Sequence, residues 1–433
     1  MNSPLPIIWL NPKTHKFQFN DLMFVDMLFT DESLEKGIKD LPVAIVSING
    51  DSRTGKSFLL NFFLRYLQRY DQENWIGSED EPLTGFSWRP GIDRDTRGIV
   101  LWSKPLIIKR RDGTKIVVLL MDTQGFSSES IEEEQFFAIS NLISSTLIYN
   151  QSRNIQSKDI SNLCKFSECL PQESRVPGDQ IVQKLLILVR DWAYVSDYNY
   201  GNEGGRKFLN YKRTVQMSKL ESSWRSLDQC YSDMDCFLLP SPGENVDDIH
   251  FDGRISKIRP DFVGYLKELV ISLLSPENIV IKSWEGEEQK LWQVSNRFSL
   301  LAKQLNDHNK IDVEKLFISH EETSAENALK KARIQFIDDI MKSYAGDPNL
   351  MEIFTSAKAK ALGIFQVECR SINNELRTVK QLKLIEFFSY YEHQIGTDSL
   401  HDGQQARWSN TVDSVRNSVY NMTQYVRSIF YNN

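Results

Sequence analysis

Eight residues, Gly50-Asp51-Ser52-Arg53-Thr54-Gly55-Lys56-Ser57, constrain this chain more than any other stretch. An apolar run, Val43 to Ile48, enters them, and a run with apolar residues at helical spacing, Phe58 to Tyr70, leaves them. Between a buried strand and a helix start, glycines let the backbone curl so that successive N–H groups point inward, reinforced by the positive end of the helix. That is a cradle for phosphate, and its spacing is that of the phosphate-binding loop. Lys56 is then set against the β- and γ-phosphates and Ser57 against Mg2+. A buried strand feeding such a loop predicts an α/β fold with its ligand at the carboxyl edge of the sheet. Phe58, Leu59, Phe62, Phe63, Tyr66 and Leu67 predict the core-facing stripe of the helix that follows.

Later positions fit the same chemistry. Thr96 closes a polar stretch, Asp71 to Arg97, just before a predicted strand, Ile99 to Trp102. A threonine there can cap Mg2+ and orient an attacking water, or can simply be a solvated loop side chain. Apolar runs Ile99 to Ile108 and Lys115 to Met121 flank Asp112-Gly113 and predict a hairpin. The second run ends in Asp122-Thr123-Gln124-Gly125. Asp122 is expected to reach Mg2+ through water and the Gly125 N–H to reach a γ-phosphate; the plain alternative is a strand-end turn. Lys184 to Val189 predicts a central strand that delivers Arg190-Asp191 to the same edge. A carboxylate there can accept from guanine N1–H and N2–H2. A competing motif, Asn309-Lys310-Ile311-Asp312, follows the polar segment Lys303 to His308 instead of a buried strand, and its Asp312 reads as a helix cap.

Strand and helix patterns alternate through about residue 280, with two helices expected over 131–170 and a last strand at Asp235 to Leu239 before a helix from Pro260 to Leu274. Beyond Glu285 only helical periodicity recurs, predicting an all-α bundle over 281–397. Trp408, Val412, Val415, Val419, Met422, Val426 and Ile429 then space by four and three, an amphipathic C-terminal helix over 398–433 that suits a membrane surface or a partner helix. The net charge of −7, with Lys and Arg scattered, argues against nucleic acid as a partner. Five cysteines without CxxC spacing fit reduced thiols in a cytoplasmic setting. No apolar run approaches the roughly 20 residues a bilayer span needs.

Several motifs in order carry a resemblance: Gly-x-x-Arg-x-Gly-Lys-Ser, Leu83-Thr84-Gly85-Phe86-Ser87-Trp88-Arg89, Arg94-x-Thr96-x-Gly98-Ile99, Leu119-Leu120-Met121-Asp122-Thr123-Gln124-Gly125, Leu188-Val189-Arg190-Asp191-Trp192, Cys236-Phe237-Leu238-Leu239-Pro240-x-Pro242-Gly243 and Phe251-Asp252-Gly253. Together they resemble the atlastins, dynamin-superfamily GTPases related to the guanylate-binding proteins, closely over 20–280 and in outline beyond. The resemblance implies a Mg2+-dependent GTPase domain over 1–280, a mostly parallel doubly wound sheet, followed by a three-helix-bundle-like domain. It implies GTP held by Gly50, Asp51, Ser52, Arg53, Thr54, Gly55, Lys56, Ser57, Phe58, Asp122, Gly125, Arg190 and Asp191. Metal would fall to Ser57, Thr96 and Asp122, and catalysis to Arg53, acting as a cationic finger in cis, with Thr96 and Lys56. Arg89 matches a residue near the dimer contact and Arg213 one near the base cap. Homodimerisation through the G domain, and tethering and fusion of endoplasmic reticulum membranes, are further implications. The chain departs from the family in showing no paired transmembrane hairpin, in Asp51, Ser52 and Thr54 of the loop, and in Arg97. A nucleotide-gated scaffold with little turnover, and a guanylate-binding-protein-like GTPase without fusion activity, remain open at this point.

Overall fold

In a computed structural model, the described residues are 3–20, 23, 24, 27, 37–52, 54–88, 96–125, 131–168, 182–284, 286–308, 325, 328, 329, 331–333, 335, 336, 339, 340, 350–370, 372 and 374–398. Val43–Gly50 (β3) is wholly buried and pairs in parallel on both sides, with Lys115–Thr123 (β6) and Thr146–Ser152 (β7). Val182–Arg190 (β8) and Tyr231–Leu238 (β9) extend the parallel run outward from β7. On the other flank the pairing turns antiparallel, through Ile99–Trp102 (β4), Pro4–Leu10 (β1) and Phe17–Phe19 (β2). Leu106–Lys109 (β5) pairs with β6 beside them, so the nine-stranded sheet runs β2-β1-β4-β6-β3-β7-β8-β9 with β5 off this path. The hairpin read at Asp112-Gly113 is β5–β6, with Gly113 at φ 89°. The run Ile99 to Ile108 is broken at Ser103-Lys104-Pro105 into two strands, both laid against β6.

Alternation along β3 assigns its two faces. Ala44, Val46 and Ile48 join one apolar cluster with Lys56–Gln68 (α1) and Pro260–Leu274 (α5). Ser47 and Asn49 point the other way, onto Ser144 and Ser140 at the end of Ile131–Ile143 (α2). Ser157–Glu168 (α3) and Gly201–Cys230 (α4) complete the helices between strands. Strand β7 is the main departure from the sequence reading. Two helices were expected across 131–170, and the structure sets a buried parallel strand between them.

After α5 the chain returns to the amino end of β3. The Lys282 N–H donates to the Val43 carbonyl (2.8 Å) and the Val43 N–H to Gln289 (2.9 Å). The short pair Ser283–Trp284 (β10) and Glu287–Glu288 (β11) breaks what sequence read as purely helical beyond 285. Helix Leu291–His308 (α6) packs on β2, where the Asn306 amide exchanges two 2.7 Å hydrogen bonds with the Phe17 backbone. This first compact unit extends to Val313 and the second begins at Glu314. In the second, Leu350–Glu368 (α7) and Asn374–Asp398 (α8) share a core with Ala325, Ala328, Leu329, Ala332, Phe336 and Ile340: Phe336 meets Phe354 edge-on (5.2 Å) and Phe388 at 4.9 Å. No helix among the described residues is long and apolar enough to cross a membrane.

Candidate functional site

The loop Gly50–Ser57 leaves β3 at its carboxyl end and enters α1 at Lys56. Two glycines make the path possible. Gly50 has φ 139°, and a Cβ there would lie 2.2 Å from the Asn150 carbonyl oxygen; Gly55, at φ 70°, caps α1 where a Cβ would strike the Arg190 guanidinium. The buried Lys56 ammonium donates to the carbonyls of Gly50 (3.2 Å) and Asp51 (2.7 Å), drawn over the loop it serves. Phe58 sends its ring into the core, against Phe62, Trp88 and Phe251.

Three expected site residues meet beside Lys56. Ser57 Oγ donates to Asp122 Oδ2 at 2.6 Å and Thr96 Oγ1 to the same oxygen at 2.8 Å, with the two hydroxyls 3.5 Å apart. Asp122 stands on β6 next to β3, so parallel register carries it to the loop. Burial pushes its carboxyl above the usual carboxylate range, against the Ser57 hydroxyl, the nearby Lys56 charge and the Thr96 hydroxyl. Its other oxygen, Oδ1, is buried without a hydrogen-bond partner. A compact all-oxygen donor set with one buried carboxylate oxygen unsatisfied fits a small hard cation, and Mg2+ is the one that accompanies a phosphate loop.

Gly125 lies against the loop from the other side, so close that a Cβ would meet Ser52 Cα at 2.3 Å. Its neighbour Gln124 ties this segment to the one carrying Thr96. The Gln124 N–H donates to the Gly98 carbonyl (2.8 Å) and its side-chain oxygen accepts from the Gly98 N–H (2.7 Å).

At the end of β8, Arg190 turns back and donates to the Thr54 carbonyl. Asn150 on β7 donates to the same carbonyl (3.0 Å) and to Thr54 Oγ1 (2.8 Å). Sequence reasoning missed Asn150, because its part in the loop depends on a strand that was not read. Asp191 follows with φ 55°, its Oδ2 accepting from Ser152 Oγ (3.2 Å) beside the Arg190 guanidinium (3.4 Å). Trp192 anchors the next turn: it is buried, donates Nε1–H to the Tyr198 carbonyl (2.9 Å) and packs on Phe208 at 4.7 Å. Arg213 is engaged within α4, pairing with Asp228 and lying over the Trp224 ring across the kink at Leu220. Arg53 and Arg89, and the competing motif Asn309–Asp312, lie outside the described residues.

The segment between α1 and β4 is held to α1 by two buried polar residues that the sequence reading placed only in a helix. Asn61 donates to the Phe86 carbonyl (2.9 Å) and accepts from the Phe86 N–H (2.6 Å). Arg65 donates to the carbonyls of Ile76 (3.0 Å) and Pro82 (2.6 Å).

Comparison with known proteins agrees with this geometry. The guanylate-binding protein N-terminal domain matches residues 21–283. Atlastin-2 of Macaca fascicularis is 34% identical over 403 residues, covering 90% of this chain and 69% of the relative. The chain belongs to the atlastin family of GTPases. Atlastin of Drosophila melanogaster is likewise 34% identical, over 88% of this chain and 73% of its own. Atlastin-1 of Bos taurus is 39% identical over 281 residues, covering 63% of this chain and half of the relative. As a member of the atlastin and guanylate-binding-protein class, the chain is a GTP hydrolase with a largely parallel α/β domain and a C-terminal helical region.

Proposed function

We propose that this atlastin-family chain hydrolyses GTP at the loop Gly50–Ser57 in a Mg2+-dependent reaction, and that GTP drives pairing of its G domain with that of a second copy. The observation that carries the site is the convergence of the Ser57 and Thr96 hydroxyls on one oxygen of Asp122 while the other is buried and unsatisfied. Ser57, Thr96 and Asp122 would hold Mg2+, which when bound neutralises phosphate charge. Lys56 and the loop N–H groups, with Asp51, Ser52 and Thr54 among them, orient the β- and γ-phosphates, and Arg53 adds a cation in cis. Thr96 and Gly125 position the γ-phosphate and the attacking water. Water adds at the γ-phosphorus as the bond to the β–γ bridging oxygen breaks, giving GDP and inorganic phosphate. The GTPase role is assigned to the first compact unit, which runs to Val313 and takes in the start of the segment 281–397 expected to be the helical domain. In cells the reading is a protein at the cytoplasmic face of the endoplasmic reticulum that tethers membranes through nucleotide-driven homodimers.

Asp191 is assigned to the guanine base, with Arg190 holding the loop at Thr54. Asp191→Asn removes an acceptor for N2–H2 and supplies a donor that suits the 2-oxo group of xanthine. Losing a hydrogen bond to a charged group costs about 1.5–3 kcal/mol, roughly a tenfold to hundredfold loss in affinity. Titration of GTP and xanthosine triphosphate should show that loss for GTP and a gain for the xanthine nucleotide. Equal loss of both contradicts base reading by Asp191.

A further inference from the structure

The described hydroxyls of the loop Gly50–Ser57 differ in one respect. Thr54 Oγ1 donates to the Asp51 carbonyl (2.8 Å) and accepts from Asn150 (2.8 Å), and Ser57 Oγ donates to Asp122 (2.6 Å). Ser52 Oγ is buried as well, yet among the described residues it has no hydrogen-bond partner. A hydroxyl shut off from water without a partner is a standing cost to the fold, and a native structure that keeps one calls for a reason.

Its surroundings indicate the kind of partner it suits. Ser52 faces Gly125, just past the end of β6: a Cβ on Gly125 would strike Ser52 Oγ and Cα and come within 2.6 Å of the Ser52 nitrogen. The nitrogen and the hydroxyl of Ser52 therefore both lie on the side of the loop turned to Gly125, whose N–H is assigned to the γ-phosphate. The carbonyls of the two preceding residues are engaged elsewhere, Gly50 by Lys56 and Asp51 by Lys56 and Thr54. Donors gathered at one place without a protein acceptor fit an anion with several oxygens. Position selects which phosphate. Lys56 and Ser57 belong to the helix end of the loop, whereas Ser52 is its third residue and lies against the segment assigned to the terminal phosphate. Ser52 is also one of the loop residues in which this chain departs from its family.

We propose that the Ser52 hydroxyl donates a hydrogen bond to a γ-phosphate oxygen of bound GTP, so that this side chain reads the terminal phosphate and sets a preference for GTP over GDP. The assignment rests on the loop being the GTP site. It adds no covalent step: Ser52 keeps its proton, and water still attacks the γ-phosphorus. GDP offers the hydroxyl no such oxygen. A hydrogen bond to a charged acceptor is among the stronger ones, so a single side chain can carry a measurable part of the discrimination.

Ser52→Ala in the full chain removes the hydroxyl and leaves the loop N–H groups in place. Titration with GDP and with guanosine 5′-(β,γ-imido)triphosphate, both with Mg2+, should show a roughly tenfold to hundredfold weaker hold on the triphosphate, with GDP held within about twofold of the parent. Equal loss for both nucleotides, or no loss for the triphosphate, overturns the proposal. Thermal unfolding of the nucleotide-free variant gives a second readout that a structural role would move the other way. Its midpoint should hold or rise, because an unpaired buried hydroxyl is gone; a fall overturns the proposal by showing that the hydroxyl is bonded within the protein. Neither readout depends on turnover, so a parent that binds both nucleotides and releases no phosphate defeats the hydrolysis reading alone, whereas a parent that binds neither defeats both.

Discussion

Asp122 concentrates the chemistry at the scale of single residues. A carboxylate taken out of water normally recovers its lost hydration through several donors. Here two hydroxyls share one oxygen and the other is left without a partner, so the site is built to gain from a cation. Ser57→Ala removes a donor to that cation while Asp122 keeps its bond from Thr96. The Mg2+ concentration needed for half-maximal GTP turnover should rise on the order of 10–100-fold, at least what outer-sphere losses produce. An unchanged requirement would remove Ser57 from the metal site. The path of the loop through Gly50 and Gly55 into α1 at Lys56 was legible in the sequence because such a loop is local: its spacing states its geometry. The grip of Asn150 and Arg190 on Thr54 was not, because it depends on register between strands separated by about a hundred residues.

Elements position the site by packing and by buried hydrogen bonds. Helix α1 carries the loop at one end and, through Asn61 and Arg65, the segment that precedes Thr96. Asn61→Ala strips partners from two buried backbone groups of Phe86, and each unsatisfied group costs about 1–3 kcal/mol. The denaturation midpoint of the GTPase domain should fall accordingly, with GTP selectivity retained; an unchanged midpoint would show that the tie carries no stability. Strands β3, β6 and β8 were readable as apolar runs, and α5 was readable to the residue from Pro260 at its start. Strand β7 hid because Thr146-Leu147-Ile148-Tyr149-Asn150 lacks glycine or proline punctuation and continues an apolar stretch from α2. A buried strand and a buried helix segment look alike at that length. The return of residues 282–290 to β3 was equally hidden, since its ladder is made of single long-range bonds at Val43.

For the whole molecule, the loop Gly50–Ser57 at the carboxyl end of β3 belongs to a first compact unit, α7 and α8 belong to a second, and the match to atlastin-2 covers nine-tenths of the chain. A GTPase that works as a pair should turn over faster per molecule when it is concentrated, because pairing completes the catalytic arrangement. One that works alone should not. Steady-state phosphate release, measured with GTP and with ATP over a range of protein concentrations, with Mg2+ and then with a chelator, separates the two. Release is expected from GTP and not ATP, lost on chelation, with a specific rate that climbs with protein concentration. Release from ATP at equal rate, or GTP turnover that survives chelation, would contradict it.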